Sequence, residues 1–158
     1  MGHQVSGVIV RGPVDREAAG KYDMRLIELE QGCILIALDA AYLDHWEERL
    51  GLAPEAVLFE RPTLNTSAVH QMAHQVTNAP FVIFETDYVG GPGDQAAAAY
   101  DGERVLMPPT VGAIGPINRA LRLIGVTPRK SEDEFAALGL GRFRSFEGAF
   151  REYWSPEI

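Results

Sequence analysis

The chain has one cysteine, Cys33, among 158 residues. An intramolecular disulfide is therefore impossible, and a thiolate metal cluster, which needs several cysteines, is excluded. Lysine is nearly as scarce. Lys21 and Lys130 are the only two, and the basic residues total 14 against 22 acidic ones, a formal net charge of −8. A balance of that sign argues against binding nucleic acid or an anionic membrane surface, both of which select basic protein surface. It fits a basic protein partner. Long apolar runs are missing too: Cys33 to Leu38 has six residues, where a membrane-spanning helix needs about 18 or more. Met1 to Val5 carries no basic segment leading into an apolar stretch, so no secretory leader is read there and the expected location is cytoplasmic.

What remains is the composition of a folded domain, 46% hydrophobic and 23% charged. Residues 1–158 are read as a single domain. A chain of this size buries roughly two thirds of its unfolded surface, so it needs no metal or crosslink to fold. Val5 to Val10 is a β-rich run that stops at Gly12-Pro13. Met24 to Leu29 and Cys33 to Leu38 form an expected hairpin turning at Gly32. Cys33 is then a small core residue. Asp39 is placed to cap a helix through Leu50, with Leu43, Trp46 and Leu50 inward, Asp44, Glu47 and Glu48 toward water, and Gly51 as its stop. A second helix, from about Asn65 to Thr77, buries Val69, Met72, Ala73 and Val76.

Phe81 to Tyr88, Gln95 to Tyr100 and Glu103 to Met107 read as three antiparallel strands, the last two joined at Asp101-Gly102. The loop Gly90-Gly91-Pro92-Gly93 is read as turn chemistry. It differs from a phosphate loop, which continues into a lysine and a helix, because Asp94 and a strand follow. Gly115-Pro116 opens a helix carrying Ile117, Ala120, Leu121 and Ile124. Ser131 and Glu134 have capping-box spacing, and Ser145 is placed to cap a last helix bearing Phe146, Ala149, Phe150 and Tyr153. The class expected is α+β, a mainly antiparallel sheet of hairpins with helices packed on one face.

Candidate chemistry concentrates around the third strand pair. Glu85 and Asp87 are two apart in a strand and project from one face, while Phe84, Thr86 and Tyr88 project from the other. Paired carboxylates beside a glycine-rich loop serve acid–base work, cation binding or recognition of basic groups. His70 and His74 are one helical turn apart, the spacing of a two-histidine metal pair. Gln71 stands where a zinc protease needs a glutamate base, so two solvent-facing histidines are the expectation and no metal or cofactor is assigned. Residues 1–118 hold 7 basic and 16 acidic groups, net −9, and residues 119–158 hold 7 and 6, net +1. In the nearly balanced tail, Arg142 and Arg144 flank Phe143 and are expected to pair internally or at an interface. Phe143, Phe146, Phe150, Tyr153 and Trp154 are read mostly as core, with an oligomer contact as the other use of such a cluster.

Three stretches carry a resemblance: Phe84 to Ala97 with its acidic strand and glycine loop, Ile117 to Val126, and Asp133 to Arg142. Together they resemble a set of small bacterial proteins associated with immunity proteins that neutralise polymorphic toxins. The likeness covers the C-terminal half and supplies no catalytic residues. It implies an inhibitor that covers a toxin's active site. Joined to the charge, it gives the leading expectation: a cytoplasmic acidic protein that binds a basic protein partner, such as a toxin, through Glu85, Asp87, Tyr88, Asp94 and Gln95. The alternative is a small hydrolase using Glu85 and Asp87, assisted by a metal held with His70 or His74.

Overall fold

The structure, a computed structural model, describes residues 3–52, 67–88, 93–143, 145–146 and 149–153. In β1 (Ser6–Arg11), Val8 and Val10 pack into one apolar cluster and Ile9 into another. All three are at most 2% exposed. A strand whose odd and even residues are both apolar must be covered on both sides. The same pattern runs through β3 (Cys33–Ala37), β4 (Phe81–Tyr88) and β5 (Gly93–Asp101). With β2 (Arg25–Glu28) and β6 (Arg104–Gly112) they form one sheet in the order β2-β3-β1-β4-β5-β6, each neighbour antiparallel.

On one face lie α1 (Arg16–Lys21), α2 (Ala40–Leu50) and α3 (Ser67–Val76). Tyr42, Leu43, Val69, Met72 and Val76 meet Val8, Ile36, Phe81, Ile83 and Ala98 there. Tyr42 is fully buried, and its hydroxyl donates to the Tyr22 carbonyl at 2.7 Å. On the other face, α4 (Pro116–Leu123) carries Ile117, Ala120 and Leu121, joined by Leu138 just past α5 (Glu134–Ala137), into the cluster with Ile9, Leu35, Val82, Phe84, Ala97 and Ala99. The α+β class and the antiparallel sheet are as read from the sequence. The helices, however, occupy both faces instead of one, because runs such as Phe81 to Phe84 and Ala96 to Ala99 leave neither face polar. Each large side chain buried in this way contributes roughly 1.5–3 kcal/mol.

Local signals account for most element ends. The Asp39 side chain accepts from the Ala41 amide, and Gly51 closes α2 in the left-handed conformation. Glu47, expected toward water, is buried instead, on the same helix as Tyr42 and Leu43. Asp15 caps α1. The capping box at Ser131 is not formed. Asp133 is the N-cap of α5, accepting from Ala136, while Glu134 turns inward to Arg122 at 3.2 Å. The helix expected after Ser145 appears, among the described residues, only as a 3-10 turn at Arg151–Tyr153. Ser145 itself bridges to Gln4.

Gly7 shows a close approach. A Cβ there would lie 2.5 Å from the Ile36 carbonyl oxygen, so β1 and β3 meet in a way that no side chain permits. β6 runs past its expected end at Met107 to Gly112, crossing Pro108 and Pro109. It does so at a register shift opposite β5 between Ala97 and Ala99, an edge position where proline is tolerated.

Candidate functional site

Strand alternation decides what the end of the β4–β5 hairpin presents. Phe81 and Ile83 lie on the α2–α3 face, so Glu85 and Asp87 continue it, while Thr86 and Tyr88 follow Val82 and Phe84 to the α4 face. The register pairs Glu85 with Ala96, Thr86 with Gln95, Asp87 with Asp94 and Tyr88 with Gly93. Directly paired residues share a face, so Asp94 joins Glu85 and Asp87, and Gln95 joins Thr86. The five residues expected at a partner site thus sit at one end of the sheet, three on one face and two on the other. Of the glycine loop, residues 90–92 lie outside the described residues. Gly93 has φ +157°, and a Cβ there would lie 2.0 Å from the Asp87 carbonyl oxygen, so the two strands close tightly below the loop.

The acidic face holds a polar hollow of about 170 Å³ lined by Gln4, Ser6, Glu85 and Asp87. Gln4 Nε2 donates to Asp87 Oδ1 at 3.0 Å. All three residues are partly exposed, with one carboxylate oxygen each of Glu85 and Asp94 buried. Facing carboxylates concentrate negative potential in a small area, and such a site favours cationic groups.

The opposite face holds a cleft of about 260 Å³ between the strand ends, α4 and α5. Its polar lining is His3, Thr86, Tyr88, Gln95, Asn118 and Asp133. The Gln95 side chain crosses from strand to helix: Nε2 donates to the Tyr88 hydroxyl at 3.0 Å, and Oε1 accepts the Ile117 amide at 2.8 Å. The Tyr88 hydroxyl donates to the Ala113 carbonyl at 2.5 Å. Asn118 Nδ2 donates to Asp133 Oδ2 at 3.1 Å, and Asn118 Oδ1 accepts the Phe135 amide at 2.9 Å. Buried Thr86 accepts the Val5 amide at 3.0 Å, and its oxygen is 2.7 Å from His3 Nδ1. The apolar part of the lining is Ile114, Ile117 and Phe135, with the His3 ring edge-on to Phe135 at 5.5 Å.

His3, Asn118, Asp133 and Phe135 were not singled out by sequence reasoning. Asn118 and Asp133 are 15 apart in the chain and look like ordinary helix-start residues. Their polarity just before apolar helix faces is the one available signal.

The other candidates lie apart. His70 and His74 sit on α3 with ring centres 6.5 Å apart. The expectation that both face solvent holds for His74 alone. His70 is half-buried, its ring 4.8 Å from that of Tyr100, and burial lowers its pKa below the usual histidine value, with His74 adding to the effect. No group of three His, Cys, Asp or Glu side chains among the described residues is placed to hold a metal. Cys33 is buried, and burial pushes its thiol pKa up against the opposing pull of Arg11. Arg142 bonds the Glu28 carbonyl at 3.1 Å and lies over the Phe143 ring. Phe150 is fully buried, and Arg25 lies over it while pairing with Asp23 at 2.8 Å and with Glu152. Arg144 and Trp154 lie outside the described residues. Among the described residues no helix is long and apolar enough to cross a membrane.

No family model, curated protein or solved structure matches the chain.

Proposed function

We propose that this chain is a cytoplasmic binding protein that recognises a basic protein, of the kind a bacterial toxin represents, and acts as its immunity protein by covering the active site. The observation that carries this reading is the meeting of Glu85, Asp87 and Asp94 on one face at the end of the β4–β5 hairpin, with Asp87 directly opposite Asp94. In a chain of net charge −8 this places local negative potential inside a negative overall field. Such an arrangement speeds encounter with a basic surface and orients it. Carboxylates on a rigid ladder also occupy the position that phosphates take in a basic nuclease-like site. Tyr88 and Gln95, at the same end of the sheet on its opposite face, supply neutral contacts.

Co-expression with the product of an adjacent gene, followed by affinity measurement, tests the reading. A complex is expected whose affinity falls by about tenfold or more between low and physiological salt. Asp87→Asn/Asp94→Asn should weaken it and flatten its salt dependence. Absence of any complex, or an affinity indifferent to both salt and substitution, overturns the proposal.

A further inference from the structure

We infer that the cleft on the α4 face is the seat of a guanidinium group, an arginine side chain of the basic partner. At about 260 Å³ the cleft is smaller than the roughly 300–1,000 Å³ typical of pockets for drug-sized ligands, and it suits a single side chain. Its lining includes the aromatic residues Tyr88 and Phe135, the latter with the His3 ring against it, together with Ile117. Its one carboxylate is Asp133, and no lysine or arginine among the described residues lines it.

Asp133 is exposed, and its two oxygens each accept one internal hydrogen bond, from Ala136 and from Asn118. A carboxylate has about four acceptor sites, so two remain for a ligand while the existing bonds hold its plane fixed. A planar cation with a fork of N–H donors matches both features, by stacking on aromatic faces and by donating to a carboxylate in pairs. Ammonium has no plane to stack. Ile114, 87% exposed at the rim, offers an apolar lip to the methylene stem of such a side chain. The polar lining is already tied together through Gln95, Tyr88, Asn118 and the helix amides, so the cleft needs little reordering to be filled.

The inference rests on the proposed basic partner, but its test needs none. The ¹⁵N-labelled full chain is titrated with N-acetyl-arginine amide, and with the lysine and leucine amides for comparison, while backbone amide shifts are followed. Arginine amide should move the Tyr88, Ile117, Asn118 and Phe135 amides with a dissociation constant on the order of 1–10 mM, and bind about fivefold or more tighter than either comparator. Asp133→Asn keeps a capping side chain and removes the charge. Ile114→Lys changes an exposed residue and sets a cation at the lip. Each should weaken arginine amide by about tenfold. If Asp133→Asn fails to fold, Ile114→Lys carries the result alone.

Shifts elsewhere, an equal response to leucine amide, or Ile114→Lys binding as the parent does overturns the inference. A lysine-rich peptide with one central arginine should bind about tenfold tighter than the amide and displace it. Equal affinity would assign the cleft to a free small guanidine and overturn the partner assignment. Loss of the arginine response with the salt-dependent complex intact refutes the cleft only. The converse result refutes the acidic face.

Discussion

The two faces at the end of the β4–β5 hairpin are built from alternate residues of the same strands, yet they hold different kinds of chemistry. On one face Glu85, Asp87 and Asp94 bring charge together; on the other, Thr86, Tyr88 and Gln95 enter a hydrogen-bonded network that ties strand to helix. Charge acts over several ångströms and weakens with salt, whereas the network acts at contact and depends on geometry. A one-residue shift along the strand therefore exchanges a long-range property for a short-range one. The two can be altered separately.

The largest expected effects test whether the faces share one core. Phe84→Ala on the α4 side should cost about 3–5 kcal/mol and Ile83→Ala on the α2–α3 side about 2–5 kcal/mol, each in a single urea transition. Two separable transitions would break the picture of one sheet stabilised from both sides. Smaller is Tyr88→Phe, which takes a hydroxyl from the Ala113 carbonyl and the Gln95 amide and should cost about 1–2 kcal/mol by denaturation. Asp87→Asn, its neighbour on the other face, should shift stability by less than about 1 kcal/mol, because the residue is partly exposed and an amide oxygen can still accept from Gln4. A large loss there would mean that the carboxylate is structural.

The pH dependence is subtler. His70 has a lowered pKa in the folded chain, so the unfolded chain binds more protons as pH falls below the ordinary histidine value of 6.5. Stability is full above that pH, declines as pH falls through it, and stops declining below the folded pKa. Melting midpoints between pH 7.5 and about pH 5 check this. His70→Gln should flatten the curve, whereas a variant as pH-sensitive as the parent would place the effect elsewhere.

Much of this arrangement is legible in the sequence because it depends on short-range rules. Period-two alternation separates Glu85 and Asp87 from Thr86 and Tyr88, Asp101-Gly102 marks a turn, and Asp39 with Gly51 brackets α2. The rest depends on contacts that spacing does not encode. The second covered face follows from where α4 lands, and the cleft joins His3, Thr86 and Asp133 from three distant segments. Ser131 and Glu134 have the right spacing for a capping box, but burial of Glu134 against Arg122 left Asp133 as the cap. The half-burial of His70 is not encoded in its helical spacing, because its aromatic neighbours, Phe81 and Tyr100, come from two other elements.

The two prolines of β6 bear on what can pair with that margin of the sheet. β6 is last in the sheet order, and an outermost strand ordinarily offers its free backbone groups as a template for another chain. Pro108 and Pro109 lack N–H donors, and they fall at a register shift that interrupts the regular run of that strand. Recruitment by adding a strand to the sheet is disfavoured along that margin. On the reading proposed above, recognition would then fall to side chains at the hairpin end, and the same interruption disfavours edge-to-edge pairing with copies of the chain along β6.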